Sequence, residues 1–204
     1  MSDNAVDPMH WGAPAPEVLR GLAQAQAEGA ARRALPPVDH WNPDYCGEID
    51  MRIARDGTWF YLGTPIGRPA LVRLFSTILR RELDGRYVLV TPVERVGLKV
   101  EDVPFIAVCV DAEGSGHDQK LRFLTNVGDE VVAGAEHRLR VTHREGSGEP
   151  QPYVAVRGGL EARLARPVFY ELVAMAEEKR DANGRRELGV WSCGQYFPLG
   201  SPDP

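Results

Sequence analysis

The residues best suited to holding a ligand flank an Asp-Gly pair in the first third of the chain. Strand-like runs precede and follow Asp56-Gly57, and this pair favours a two-residue hairpin loop because a type I′ turn needs positive φ at both positions. With these two residues as the whole loop, Arg52 faces Tyr61 across the hairpin and the flanking side chains sort onto two faces. The core face carries Ile49, Met51, Ile53, Phe60 and Leu62, and the other face carries Asp50, Arg52, Trp59 and Tyr61.

The second hairpin face combines groups that recognise nucleotides. Trp59 and Tyr61 can stack on a base, and Arg52 can pair with phosphate oxygens. Asp50 can accept a hydrogen bond from a ribose or from a base edge. An alternative stays open, in which a second domain covers this face and the two aromatic residues pack at the interface. The two interpretations overlap, because pockets are frequent at domain interfaces.

Two nine-residue segments, 66–74 and 164–172, match without a gap and share a small residue followed by Arg-Pro. Each leads into a helix and then, through a glycine-containing turn, into a strand. This order predicts a duplicated core, with Arg68 and Arg166 at equivalent helix N-cap positions. Arginine is a poor N-cap, so both favour a salt bridge, a buried interface or an anion at the helix entrance. We add Arg68 and Arg166 to the predicted ligand-binding residues.

No catalytic, metal-binding or cofactor motif stands out in the sequence. It has no Gly-rich phosphate loop and no nucleophile elbow, and its histidines and cysteines complete no zinc pattern. The adjacent acidic pairs Glu101-Asp102 and Asp129-Glu130 are interpreted as solvated charge, because neighbouring residues on a strand point in opposite directions. We therefore predict no catalytic residues, no metal and no cofactor.

Composition bounds the class of protein. The 204 residues are 43% hydrophobic and 26% charged, with a formal net charge of −5, which fits a globular chain and shows no nucleic-acid footprint. No apolar run approaches the length of a membrane helix, and no apolar signal core follows the N-terminus. Cys46, Cys109 and Cys193 are interpreted as buried or partly buried free thiols of a reducing compartment. These features predict a cytoplasmic protein without membrane or nucleic-acid partners.

Hydrophobic periodicity predicts an α+β fold in two domains. An apolar stripe that begins at Leu71 predicts a helix from Pro69 to the Asp84-Gly85 pair, and a second helix is predicted from Pro167 to about Arg180. Short strands separated by Gly- and Ser-rich turns fill most of the remainder. The predicted divisions are a helical arm over 1–37, an α+β domain over 38–96 and a β-rich domain with one main helix over 97–204.

Several stretches resemble an uncharacterised bacterial family, the domain of unknown function family 1285. The stretches are His40 to Asp50, Arg55 to Tyr61, Pro65 to Arg68, Leu89 to Glu94 and Asn126 to Asp129. The resemblance spans about residues 36–200. It implies two domains with a duplicated helix-plus-antiparallel-sheet core and a C-terminal domain superficially similar to pleckstrin-homology-like folds. It also implies a site for a nucleotide-based ligand at the domain interface and a role in signal transduction.

Three functional hypotheses follow from the residues and the resemblance. The leading one is a non-catalytic regulatory protein that binds a nucleotide-based small molecule in the interdomain cleft. The second is a protein–protein interaction module that uses the C-terminal sheet or the N-terminal arm. The third is an enzyme with an unfamiliar site at Cys46 or Cys193, which the absence of a motif disfavours.

Overall fold

The computed structural model of the protein describes residues 35–180 and 183–201. Within these ranges the chain is mostly β, with fifteen strands in three sheets and two α-helices, which fits the predicted α+β class. Nearly all of the predicted N-terminal arm lies outside the described residues. The strands are β1 (Tyr45–Ile53), β2 (Trp59–Tyr61), β3 (Thr64–Pro65), β4 (Leu79–Arg81), β5 (Tyr87–Val90), β6 (Arg95–Val100), β7 (Phe105–Glu113), β8 (Lys120–Thr125), β9 (Glu130–Val132), β10 (Leu139–His143), β11 (Pro150–Arg157), β12 (Leu160–Leu164), β13 (Glu177–Arg180), β14 (Arg186–Ser192) and β15 (Gln195–Gly200), and the helices are α1 (Pro69–Thr77) and α2 (Arg166–Ala174).

The first six strands and α1 form what we call the first unit. Its sheet has the order β3-β2-β1-β6-β5-β4. Neighbouring strands are antiparallel except β1 and β6, which are parallel. The predicted all-antiparallel sheet is therefore wrong at this pair, because β1 and β6 are joined by a long crossover that contains α1, and such crossovers connect parallel strands.

The remaining strands and α2 form the second unit. Its main sheet has the order β10-β11-β12-β7-β8-β9, again with one parallel pair, β12 and β7. Strands β13, β14 and β15 form a separate antiparallel sheet. Strand β8 shows why these segments are strands, since its residues alternate strictly between exposed and buried positions, with Leu121 and Phe123 in the core.

The two units differ in the number of strands that precede their helices. Three strands precede α1 and six precede α2, while three follow each helix. The Arg-Pro match lies at the start of both helices, but Arg68 is the N-cap of α1 whereas Arg166 is the first helical residue of α2, so the prediction of equivalent N-cap positions is wrong. The predicted duplication and the pleckstrin-homology likeness remain predictions. Strand β6 spans the predicted boundary between residues 96 and 97 and pairs with β1 and β5, so the first sheet extends to Val100.

The hairpin register predicted from Asp56-Gly57 is wrong by one residue. The observed Cα partners are Met51 with Tyr61, Arg52 with Phe60, and Ile53 with Trp59. The reason is the loop, because the amide of Ala54 donates to the carbonyl of Thr58 and leaves three residues rather than two at the tip, with Gly57 alone at positive φ. A shift of one residue exchanges the faces, so the two predicted stacking aromatics turn inward and Phe60 turns outward.

Both helices end earlier than predicted. The first ends at Thr77 and the second at Ala174, and the residues beyond each helix join strands. At the first helix, Ser76 and Thr77 donate their hydroxyls to the carbonyls of Arg73 and Leu74, a competition typical of helix ends. Leu79 then pairs with Leu89 in β5. Leu79 is apolar and fits either periodicity, so sheet pairing decides its conformation.

One cluster of buried apolar side chains runs through both units. In the first unit the fully buried indole of Trp59 stacks on Phe75 of α1, with ring centroids 6.3 Å apart. In the second unit the core includes Phe105 and Phe123. The three cysteines are exposed free thiols, so the prediction that they are buried or partly buried is wrong.

Candidate ligand-binding site

A cleft of about 520 Å³ lies where the hairpin loop of the first unit meets the second unit. The first unit contributes Arg55 and Asp56, while the second unit contributes the end of the β10–β11 loop, strand β12 and the first turns of α2. This volume lies within the range of small-molecule sites. The cleft is thus an interdomain site built from elements far apart in sequence.

The hairpin loop is pressed against the second unit at Gly57. A Cβ at this glycine would lie 2.8 Å from Cγ1 of Ile106 and 2.9 Å from Nδ2 of Asn126. Asn126 in turn accepts a hydrogen bond from the backbone amide of Ile106 at 3.0 Å. The turn and the interface both need glycine here, and this close fit fixes the position of Arg55 and Asp56 at the edge of the cleft.

Arg163 of β12 ties the two units together at the base of the cleft. Its Nη2 donates to the backbone carbonyl of Arg55 at 2.7 Å, and its Nη1 lies 3.5 Å from a carboxylate oxygen of Asp102. The other oxygen of Asp102 accepts from the Tyr153 hydroxyl at 3.0 Å. Burial, together with this carboxylate, raises the pKa of Tyr153. The phenol therefore stays protonated and donates to Asp102.

The adjacent acids Glu101 and Asp102 contact different units. Glu101 is exposed, as predicted, although it is ion-paired, whereas the Asp102 side chain is only 14% exposed, so the prediction of solvated charge is wrong for Asp102. Glu101 accepts from Arg52 at 2.5 Å and from the backbone amide of Arg55 at 3.1 Å. Both hydrogen bonds lower the pKa of Glu101, and the bond from the Arg55 amide has the larger effect. One carboxylate therefore fixes the hairpin loop, and the other reaches the second unit.

Asp129 is also paired rather than solvated. Its carboxylate binds the guanidinium of Arg157, which also donates to the backbone carbonyl of Ser76 in α1 at 2.8 Å. The side chain of Arg73, also on α1, lies against Gly128, where a Cβ would meet Nη2 at 2.8 Å. A second set of polar contacts therefore links the helix of the first unit to the β8–β9 turn of the second.

Arginine dominates the charge of the cleft. Its lining includes four arginines, Arg55, Arg144, Arg163 and Arg166, against the two carboxylates of Asp56 and Glu149. Arginine binds carboxylates and phosphates in a bidentate manner. Arg163 is paired with Asp102, so three arginines remain against the two carboxylates. This excess of positive charge favours an anionic ligand.

Hydrogen bonds from specific donors favour the ionised form of both carboxyl groups in the cleft. The backbone amide of Thr58 donates to Asp56 at 2.9 Å and lowers the pKa of that carboxyl. Glu149 lies 2.5 Å from Nη2 of Arg166 and 3.2 Å from Nη1 of Arg144. The hydrogen bond from Arg166 is the main reason that the pKa of Glu149 is lowered.

Helix α2 brings an aromatic ring and a helix N-terminus to the cleft. Tyr170 lines the cleft and is 65% exposed, so its ring is available for stacking. The N-cap residue Ala165 gives the helix no side-chain cap. The first backbone amides of a helix are unpaired within it, and its N-terminus carries partial positive charge. Both features add to the attraction for an anion.

The structure brings only one of the six predicted ligand-binding residues to the cleft, namely Arg166. Trp59 is buried in the core and Tyr61 packs against it. Arg52 is on the opposite hairpin face, over the ring of Phe60 at 4.0 Å. The remaining two, Asp50 on β1 and Arg68 at the start of α1, are exposed outside the cleft. The shared hairpin face expected from the sequence does not exist.

Sequence reasoning missed most of the cleft. Arg55 was visible as the residue before the predicted turn, and Arg163 as a polar position in an alternating strand just before the Arg166-Pro167 match. Arg144 and Glu149 bracket a Gly-Ser-Gly turn and gave no signal of their own. Their proximity to Arg166 depends on packing between the β10–β11 loop and α2.

In the described part of the chain, no group of three or more acidic, histidine or cysteine side chains is placed to hold a metal ion. None of the helices in residues 35–180 and 183–201 is long and apolar enough to cross a bilayer.

Fold and cleft together define a two-domain, mostly β protein with an arginine-lined interdomain cleft. Family models for the DUF1285 N-terminal domain and the DUF1285 C-terminal domain, both of unknown function, match residues 36–103 and 104–199. The chain therefore belongs to the DUF1285 family, as the resemblance in its sequence predicted. The family occurs in bacteria, as the solved structures below show.

Two solved structures resemble the chain. A DUF1285 family protein from Silicibacter pomeroyi DSS-3 is 48% identical, with a TM-score of 0.82 over 93% of this chain and 97% of that one. A DUF1285 family protein from Shewanella baltica OS155 is 28% identical, with a TM-score of 0.48 over 62% of this chain and 92% of that one. A search of curated proteins found no match.

Proposed function

We propose that this protein is a non-catalytic regulatory protein that binds a nucleotide-based small molecule in the interdomain cleft. The observation that carries the proposal is the convergence of four arginines and an exposed tyrosine on one cleft between the units. Guanidinium groups pair with phosphate oxygens, and a tyrosine ring stacks on a base. A role in signal transduction would follow if the ligand changes how the two units are held.

The individual side chains suggest how such a ligand would lie. Arg166 and Arg144 at the α2 side suit the phosphate end, where the helix N-terminus adds attraction. Tyr170, one turn further along α2, suits the base. Asp56 on the opposite wall keeps acceptor capacity for a ribose hydroxyl or a base amino group. Arg163 is already engaged by Asp102 and the Arg55 carbonyl, so its main role is to hold the walls together.

The interdomain position suits a regulatory role. A ligand that touches Asp56 and Arg166 at once would contact both units, and any ligand that binds only the folded state stabilises it. The exposed free thiols suit a reducing compartment, and we propose the cytoplasm as the location. The interaction-module alternative stays a prediction.

A thermal-shift panel tests the proposal. The panel contains inorganic phosphate, nucleoside mono-, di- and triphosphates, dinucleotides and, as phosphate-free controls, the nucleosides. A nucleotide at a hundred times its dissociation constant should raise the melting temperature by about 5–10 °C. Arg166→Ala should abolish most of this shift. Arg122→Ala, which removes an exposed, ion-paired arginine outside the cleft, should leave it unchanged. A panel in which no nucleotide moves the melting temperature would remove the proposal.

A further inference from the structure

A carboxylate of the protein itself already occupies the arginine side of the cleft. Oε1 of Glu149 lies 2.5 Å from Nη2 of Arg166, and its Oε2 lies 3.2 Å from Nη1 of Arg144. Each arginine thus binds a different oxygen of one anion. Two guanidinium groups that converge on one anionic group in this way also match the oxygens of a phosphate.

This resident anion is held in an exposed position. The side chains of Arg166, Arg144 and Glu149 are 78%, 45% and 36% exposed. Exposed ion pairs are weak, because water competes for both partners and salt screens them. A better anion can therefore replace the carboxylate at low cost.

The loop that carries Glu149 allows its side chain to leave while the backbone stays in place. The backbone amide of Arg144 donates to the backbone carbonyl of Glu149 at 2.9 Å, which closes the loop at its base. At the tip, a Cβ on Gly146 or on Gly148 would meet nothing within 4 Å. The loop tip is therefore open, and the Glu149 side chain at the loop base is 36% exposed, so it can rotate away from the two arginines without a change in this backbone bond.

We propose that Arg144 and Arg166 form the subsite for a terminal phosphomonoester of the ligand, and that Glu149 occupies this subsite until the ligand displaces it. This inference rests on the proposed function, because it needs a nucleotide in the cleft. A phosphomonoester carries nearly two negative charges at neutral pH, whereas a carboxylate or a phosphodiester carries one. The subsite therefore selects nucleotides with a terminal phosphate over cyclic nucleotides and over carboxylates.

Titration calorimetry of the full chain tests the inference at pH 7.5. The probes are AMP, GMP, CMP and UMP, each compared with its 3′,5′-cyclic counterpart, and adenosine as the phosphate-free control. Glu149→Gln keeps the shape of the side chain and removes its charge. It should bind the monophosphates about three- to tenfold more tightly than the wild type, and the cyclic nucleotides with a smaller gain. Arg144→Ala should weaken monophosphate binding about tenfold without a comparable effect on adenosine.

A matched control separates the effect of the Glu149 position from the effect of losing one negative charge. Glu130→Gln removes an exposed carboxylate that faces Arg122 at 3.7 Å outside the cleft, and it should bind every probe as the wild type does. A melting curve for each variant confirms that it is folded.

The outcomes separate the inference from the proposed function. If the wild type binds nucleotides and Arg166→Ala weakens them, but Glu149→Gln binds equally or less tightly, the inference is wrong and the function stands. If neither the wild type nor Glu149→Gln binds any nucleotide, both are wrong. If Glu149→Gln and Glu130→Gln gain affinity equally, the effect is one of net charge and the subsite is wrong.

Discussion

The guanidinium of Arg163 donates from its Nη2 to the backbone carbonyl of Arg55 at 2.7 Å, across the junction of the two units. Strand β12 of the second unit thereby holds the hairpin loop of the first. Because the acceptor is a backbone carbonyl, the bond depends on the position of the loop rather than on the side chain at residue 55. The walls of the cleft are joined at this bond.

Replacement of Arg163 should therefore weaken the fold as well as the cleft. Arg163→Met removes the bond to Arg55 and leaves Asp102 without its cation. The Arg163 side chain is only 22% exposed, so both losses occur in a largely buried place. We expect a loss of about 1–3 kcal/mol in the free energy of unfolding, measured by urea denaturation. Arg166→Met is the control, since its ion pair is largely exposed and should cost under about 1 kcal/mol. Equal losses in the two variants would contradict the role given to Arg163.

Gly57 is expected to be sensitive for two separate reasons. It has φ of +84°, and an added Cβ would lie 2.8 Å from Ile106 of the second unit. Gly63 has a similar φ of +74° but an added Cβ would meet nothing within 4 Å. Gly57→Ala should destabilise the protein by about 1 kcal/mol more than Gly63→Ala. Chemical denaturation of both variants measures the difference, and no difference would mean that the loop does not press on the second unit.

Acid should loosen the hairpin loop through Glu101. Its folded-state pKa is lowered below the ordinary value of 4.5, mainly by the Arg55 amide. A carboxyl with a lowered folded-state pKa stabilises the fold above its unfolded pKa, and this contribution is lost as the pH falls through the folded value. The melting temperature of the wild type should fall more steeply below about pH 4.5 than that of Glu101→Gln. Parallel curves from pH 6 to pH 3 would contradict the prediction.

One lysine is expected to stabilise the third sheet, which consists of β13, β14 and β15. The ammonium of Lys179 on β13 lies 3.9 Å from the ring centroid of Trp191 and 4.7 Å from that of Tyr196. Lys179→Met keeps an apolar stem and removes the charge, and should cost about 0.5–1 kcal/mol. Lys120→Met, an exposed lysine on β8, is the control and should cost less. Thermal unfolding measures both, and a neutral Lys179→Met would show that the cation contributes nothing.

Much of the fold follows from local patterns. The Asp-Gly pair predicted a hairpin at the correct place, and Pro69 with its apolar stripe predicted a helix that begins at the correct residue. The errors lie where two local solutions have similar energies. The loop has three residues rather than two, and Leu79 suits a strand as well as a helix. Burial of Trp59 against Phe75 is available only in the observed register, so the core decides between the two loops.

The amino-acid sequence alone determined the family, the division into two sheet-and-helix units and the position of Arg166 at the start of a helix. Only the tertiary structure decided which residues share a site. Arg55 and Arg163 are 108 positions apart in the chain, and Arg144 meets Arg166 only through Glu149 on a loop that packs near the α2 helix. Periodicity describes which face of its own element a side chain occupies. A cleft between units is instead set by how those faces dock against each other. Docking depends on burial and hydrogen bonding summed over the whole chain.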